Sequence, residues 1–407
     1  MKNHYEKVVC ACCFLALFVN VGLNSTSFAV YQPYIVAVPG VGDAGGSAVV
    51  ALRVLVSLVV TVFVDRYYNA LDLRVGVSVA TVLTAAGFFV YGFAADLPLF
   101  LLGAVTTGAA YGFGGMVATT MLVNRWFKSG IGTVVGVASV GSGVAGIVVP
   151  VAAARIIEGH SLSWAFRFEG LLALAVAVVI FAFLRNRPSD LGLAPHEGEG
   201  ASSSQPKGRS IEGVRLTSRE RVLVLAALAM TGAFSMGGIA YLSILFVASG
   251  VDAGFAAFLL SVTGICLTAS KFVTGELFDR IGTRLASGIM FAVLVAGLVL
   301  CCAVPIGPVG IAIAAAICVG AGVSLGSVGL SVWSLELAEP EARVRSIKNC
   351  QLAYSAGGFV MNVLPGPLKE LTGTYVTSYA IMAVLAATAA AIILFAYRPR
   401  PSGASIV

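Results

Sequence analysis

Apolar stretches about 20 residues long, the length that crosses a bilayer, recur from one end of this chain to the other, and they limit its fold more than any single motif. Lipid offers no partner to a backbone N–H or C=O, so such stretches must fold as helices that satisfy their own hydrogen bonds. Twelve spans are predicted, at roughly 8–34, 46–64, 74–94, 97–122, 130–156, 164–184, 221–248, 254–278, 285–304, 308–335, 343–366 and 374–397. Charged residues make up only 11% of the chain, about half the share in a soluble protein. The expectation is an all-α, polytopic membrane protein, and its 47 glycines suit helices that approach closely in lipid. The N-terminal MKNHYEKVVCACCFLALF resembles a signal peptide, but with so many spans after it a retained first helix is expected. The eight cysteines lie in or beside apolar segments without metal-ligand spacing, and read as buried thiols.

Lys and Arg orient the spans. With both termini in the cytoplasm, twenty of the 25 basic residues fall inside; only Arg155, Arg167 and Lys369 face outward, and Arg53 and Lys271 lie within spans. The net charge of +6 is mostly this inner-face signal, not a nucleic-acid footprint. Residues 185–220 are rich in Pro, Gly, Ser and charge and read as a flexible cytoplasmic linker. It divides the chain into two pseudo-symmetric six-helix halves, 1–184 and 221–407, an organisation that places a substrate site near the midplane between halves. Span two ends in FVDRYYNALDLR and span eight in GELFDRIGTR, so Asp65-Arg66 and Asp279-Arg280 occupy equivalent places. Such pairs can latch one conformation against the neighbouring half, or simply form charged loops; the repetition favours the latch.

Polar positions inside the spans mark candidate lining. Asn20, Asn24, Ser27, Tyr31 and Tyr34 are spaced 4, 3, 4 and 3, which puts them on one face of a regular helix, either bonded to other helices or lining a pore. Lys271 precedes Asp279 by eight residues, roughly 12 Å along a helix and close to the midplane. A cation there costs roughly 2.5–3.5 kcal/mol on insertion scales. Arg53, twelve residues before Asp65, lies at a similar depth in the equivalent span, with Ser57 one turn below. No Asp or Glu occupies the middle of any span; Glu169 lies near the outer end of span six. Lys271 is therefore read as the partner of an anionic substrate, with structural pairing or a neutral, coupling lysine as alternatives. Arg53 has the same substrate reading, or pairs with lipid, water or Glu169. Tyr111, Tyr241 and, on a face of span eleven with Gln351, Gly358 and Asn362, Tyr354 are further candidates. Gly132, Gly136, Ser139, Gly143 and Gly146 form a small-residue seam in span five, which Pro150 is expected to break or kink; GAGVSLGSVGLSVWS in span ten suggests a flexing element.

No phosphate loop, metal cluster or Ser/His/Asp set can be assembled, so neither an enzyme nor a cofactor is expected. The twelve spans, central linker and doubled DR motif resemble the major facilitator superfamily. NRWF at 124–127, the glycine-rich stretch that follows, WAFRFEG at 164–170 and RPSDLGLAP at 187–195 are similar to its monocarboxylate-porter branch, which includes oxalate:formate antiporter-like carriers. The resemblance implies that Lys271 stands where this branch binds a substrate carboxylate, where an Arg is usual. It implies that Leu267 stands in place of the acid of proton-coupled members, and Tyr354 in place of the span-eleven cation of exchangers. YYNA replaces the glycine turn usual in the first DR motif. The expectation is a monomeric carrier of the bacterial cytoplasmic membrane, moving a small organic carboxylate by exchange between rocking halves. Lys271 and Arg53 would be its cations, with Tyr31, Tyr34, Asn24, Tyr111, Tyr241 and Tyr354 adding hydrogen bonds or shape, and Asp65, Arg66, Asp279 and Arg280 acting in gating. The alternatives are proton-coupled symport, efflux of another solute, or a membrane sensor that transports nothing.

Overall fold

The structure, a computed structural model, describes residues 5–128, 131–194, 196, 217–337 and 343–398, without the side chains of residues 65, 131–133, 335 and 343–348. The long helices are α1 (Tyr5–Val36), α2 (Gly42–Val62), α3 (Leu73–Phe93), α4 (Leu97–Trp126), α5 (Val134–Gly159), α6 (Leu162–Phe183), α7 (Ser218–Ala240), α8 (Ala253–Ile281), α9 (Thr283–Ile306), α10 (Val309–Ser334), α11 (Arg343–Val363) and α12 (Val376–Ala396). Eleven are long and apolar enough to cross a membrane; α11, which opens with Arg343, Arg345 and Lys348, is less apolar and completes the twelve. Loop residues start several helices where the sequence places a capping oxygen. Asp96 accepts from the Leu99 N–H, Ser161 from Trp164 and Asp252 from Phe255, and Thr217 with Glu220 forms a reciprocal box at the start of α7. Large apolar side chains such as Val82, Phe93, Leu102, Val178 and Phe181 point outward, as lipid-facing positions must.

Both termini share a face with the linker. The Tyr5 hydroxyl donates to the Phe183 carbonyl and Arg398 pairs with Glu220 at 3.6 Å. This face is the linker side; the opposite one is the loop side. Most of the predicted linker, residues 195 and 197–216, lies outside the described residues.

Four predicted spans are not continuous α-helices. α1 changes to a π-helical stretch at Phe18–Thr26 and to a 3-10 turn at Phe28–Tyr31. α4 breaks at Gly115, α7 ends at Tyr241 before a short helix at Leu242–Ala248, and α10 passes through a 3-10 turn at Val323–Gly326. These are the first and fourth helices of each half, so the interruptions repeat with the fold's pseudo-symmetry. Conversely, α5 runs unbroken through Pro150, where the sequence led us to expect a break or kink.

Small residues fix the close helix pairs. A Cβ on Gly357 or Gly232 would overlap the backbone of Ala229 or Tyr354, so α7 and α11 lie in direct backbone contact. Between the halves, a Cβ on Gly264 of α8 would sit 2.8 Å from the Gly146 carbonyl oxygen of α5. Towards the linker side, a Cβ added to Gly136 of α5 or Gly275 of α8 would meet nothing within 4 Å, so neither position is closely packed. Gly357→Val is predicted to lower the thermal unfolding midpoint in detergent through an overpacking penalty of about 1–3 kcal/mol. Gly275→Ala, which meets no neighbour, is predicted to keep or slightly raise it through the better helix propensity of Ala, and an equal loss in the two variants would contradict this packing.

Candidate functional site

The four interruptions converge. Between the halves lies a cavity of about 210 Å³, lined by Asn24, Ser25 and Thr26 from the π-helical stretch of α1, Tyr111 before the α4 break, Ile239 and Ala240 at the end of α7, and Val323, Gly326 and Ser327 in α10. Irregular backbone is tolerated at membrane depth where protein or a water-filled space solvates its freed groups. The π-helical stretch of α1, the end of α7 and the 3-10 turn of α10 meet that condition, while Gly115 at the α4 break lies outside the lining.

Two cations line the same cavity, Arg53 from α2 and Lys271 from α8. Lys271 sits ten residues before the end of α8 at Ile281, and Arg53 nine before the end of α2 at Val62, roughly 15 and 13 Å along the helices. Glycine places Arg53. A Cβ on Gly108 would stand 2.6 Å from the Arg53 carbonyl oxygen and one on Gly112 2.9 Å from that of Ser57, so α4 lies directly on α2 and carries Tyr111 to the cavity. The Arg53 side chain is 7% exposed, its guanidinium lies 4.2 Å from the Phe28 ring centroid, and its Nη1 has no hydrogen-bond partner. Lys271 is half-buried and makes no hydrogen bond or ion pair with a described residue. Among the described residues no Asp or Glu lines the cavity.

Neutral groups complete the lining. Asn24 donates to the Asn20 carbonyl at 3.1 Å and to Thr84 at 3.2 Å, which ties α1 to α3, while its Oδ1 stays unpartnered. Asn362 donates to the Gly358 carbonyl at 2.7 Å and also keeps a free Oδ1; the Ser235 hydroxyl has no partner either. Tyr111 and Tyr354 line the cavity from α4 and α11. The cavity thus offers positive charge, hydroxyls and amides, enclosed by Val50, Val54, Leu267 and Val323.

Three predicted aromatic positions lie elsewhere. Tyr31 is fully buried and donates to Glu169 of α6. Tyr241 donates to the Asn362 carbonyl at 2.6 Å and stacks beside Tyr375, so it supports a lining residue from behind. Tyr34 is half-buried and outside the lining. The reason for Tyr31 is local. A spacing of 4, 3, 4, 3 defines one face only at 3.6 residues per turn, and the π and 3-10 segments of α1 rotate Tyr31 away from Asn24. Glu169 is taken by Tyr31, and no ion pair joins it to Arg53. Ser235, Ser327 and Met236 were missed; their only signal was clustering with glycine in TGAFSMGG and SLGS. Four of the eight cysteines (Cys10, Cys266, Cys302 and Cys318) are half-buried rather than buried, and all eight are free thiols. Among the described residues no group of His, Cys, Asp or Glu is arranged to hold a metal.

The cavity is closed on the loop side. Every hydrogen bond that crosses between the halves among the described residues is there: Tyr375 to Asp43 at 2.5 Å, the Gly366 N–H to Ser47 at 2.7 Å, and the Ala44 N–H to Glu370 at 3.1 Å. Among the described side chains of the doubled DR motif, none is engaged across the halves. Arg280 pairs with Glu276 of its own helix, Asp279 is exposed, and Arg66 is exposed near the Phe63 ring. The Asp65 side chain lies outside the described residues.

Two six-helix halves meet around one central cavity and are joined by hydrogen bonds on the loop side. The major facilitator superfamily model matches residues 13–360, and the chain belongs to that superfamily of transporters. Solved structures agree in fold. The nucleoside transporter NupG superposes with a TM-score of 0.71 at 14% identity, covering 97% of this chain and 100% of its own. A D-xylose-proton symporter gives 0.70 at 15%, covering 98% of each chain. A bacterial homolog of the human lysosomal transporter Spinster, inward-facing and occupied, gives 0.68 at 16%, covering 98% and 99%. At these identities the likeness establishes architecture alone. No curated protein matches the chain in sequence.

The loop-side closure generates a prediction. In the double variant Asp43→Asn, Tyr375→Phe the halves lose their shortest cross-link, and spin labels at the loop-side ends of α2 and α12 are expected to report a longer or broadened separation. An unchanged distance distribution would show that these contacts do not hold the closed state.

Proposed function

We propose that this transporter carries a small organic carboxylate anion, with exchange as its mode. One observation supports the reading most: Arg53 and Lys271, from equivalent helices of the two halves, line one cavity with no acid among the described residues. Ionisable groups at membrane depth face cavities and mark substrate paths, and a carboxylate supplies the charge and acceptor oxygens that Arg53 Nη1 and the Lys271 ammonium lack. The hydroxyls of Tyr111 and Tyr354 and the free serine and amide atoms would orient it. Exchange follows from the charge balance, since a loaded site is neutralised and an empty one leaves two cations facing apolar walls. The resemblance to the monocarboxylate-porter branch agrees with this substrate class. A neutral solute such as a sugar or nucleoside would leave both charges uncompensated.

The basic bias of the linker side favours a cytoplasmic linker and termini in a bacterial inner membrane. In that orientation the bonded loop side faces outward, and rocking of the halves about the α5–α8 crossing would open it. The DR motifs at the linker-side ends of α2 and α8 would then meet their partners.

Thermal unfolding in detergent against a panel of mono- and dicarboxylates tests the assignment. A ligand that binds only the folded protein stabilises by mass action, about 2.7 kcal/mol at a hundredfold excess over Kd. At least one carboxylate is expected to raise the wild-type midpoint, with the response lost in Lys271→Ala and weakened at least tenfold in Arg53→Gln. If a neutral solute raises the midpoint and no carboxylate does, or if Lys271→Ala keeps the carboxylate response, the substrate class is wrong.

A further inference from the structure

Transport through the cavity makes no use of Glu169, yet among the described residues this is the one acid whose side chain is buried. It lies on α6, seven residues after the loop-side start at Leu162, and is 3% exposed. Its Oε1 accepts from the Tyr31 hydroxyl, and its Oε2 has no partner. Around it stand rings: Phe166 of α6 lies 4.2 Å from Tyr31, 5.2 Å from Tyr91 of α3 and 6.4 Å from Phe28 of α1, centroid to centroid.

No cation neutralises it. On α6 itself, Arg167 lies against the Phe93 and Trp164 rings and pairs with no acid. From α1 the titratable group is Tyr31, and from α3 it is Tyr91, which is bonded to Thr107. Arg155 and Glu158 of α5 are exposed near that helix's loop-side end, and Arg53 of α2 lies over Phe28. An ionised carboxylate in such surroundings has one neutral donor against a large desolvation penalty, whereas the protonated acid loses little.

We infer that Glu169, held by Tyr31, is a proton-binding site, occupied in this loop-side-closed state and coupled to movement of the halves. The coupling has a physical route. Tyr31 sits on the 3-10 turn of α1 that also packs against Leu242–Ala248 of the second half. Glu169 is also only about 10 Å along α6 from the loop-side end. Opening that side shifts the turn and brings water to the carboxyl group, and both changes favour release of the proton. A carrier built this way binds its proton away from its substrate, in the other half from Lys271. The step is a simple acid dissociation: the O–H bond of the acid breaks, and the proton passes to water admitted from the loop side.

Infrared difference spectra of the purified full-length protein, recorded between acid and alkaline pH, test this without any substrate, so they stand or fall independently of the carboxylate assignment. Wild type is expected to show the C=O stretch of a protonated acid that survives well above the range near pH 4 where exposed Asp and Glu ionise. Glu169→Gln is expected to lack it. Tyr31→Phe removes the one donor to the ionised form while keeping the acid, so its band should persist to higher pH than in wild type. The Asp43→Asn, Tyr375→Phe variant, opened at the loop side, should lose the band at lower pH. Identical spectra from wild type and Glu169→Gln, or no upward move in Tyr31→Phe, would overturn the site; an unmoved band in the opened variant would overturn its coupling.

Discussion

A backbone inside lipid must satisfy its own hydrogen bonds, and the whole arrangement of this transporter depends on where that rule is relaxed. Eight of the twelve helices obey it along their length. The four that do not, α1, α4, α7 and α10, are the equivalent helices of the two halves, and the π-helical stretch of α1, the end of α7 and the 3-10 turn of α10 border the central cavity. The cavity is therefore the reason the broken helices are tolerated, and the breaks in turn give it unpaired groups to present. Regular helices carry the charges: Arg53 and Lys271 project from α2 and α8, whose rigidity and glycine-mediated packing fix their depth.

The halves touch unequally at their two ends. On the loop side, polar side chains and backbone amides meet in three hydrogen bonds, and α5 and α8 cross with their glycine backbones in contact. On the linker side of the same two helices, Gly136 and Gly275 have no close neighbour. The few hydrogen bonds that close the loop side, each worth on the order of 1 kcal/mol, are weak enough to exchange for a matching set at the other end. The doubled DR motif supplies charged residues at that other end.

Much of this was legible in the sequence, for identifiable reasons. The spans followed from length and apolarity, and the two halves from the linker and the repeated DR motif. Lys271 and Arg53 stood out because a charge in an apolar run has few explanations, and both face one cavity. Tyr111, Tyr354 and Asn24 are there as well. What could not be read was helix geometry. The polar face of α1 was laid out on a regular α-helix, and the π and 3-10 segments send Tyr31 to Glu169 instead; Tyr241 sits at a break in α7 and faces the Asn362 carbonyl. Ser235 and Ser327 were hidden because a hydroxyl among glycines is as common in helix packing as in a site. The loop-side contacts join Asp43 to Tyr375 across 332 positions, a pairing no local pattern encodes.

The central claim, that the two unpaired cations exist to bind an organic anion in transit, is tested most directly by counterflow in liposomes that contain only this protein. The vesicles are loaded with an unlabelled carboxylate, and uptake of the same labelled compound is followed from outside. The account predicts saturable uptake that depends on the internal load and is absent from empty vesicles. Counterflow of a neutral sugar or nucleoside with none of any mono- or dicarboxylate would contradict it and give Arg53 and Lys271 another purpose.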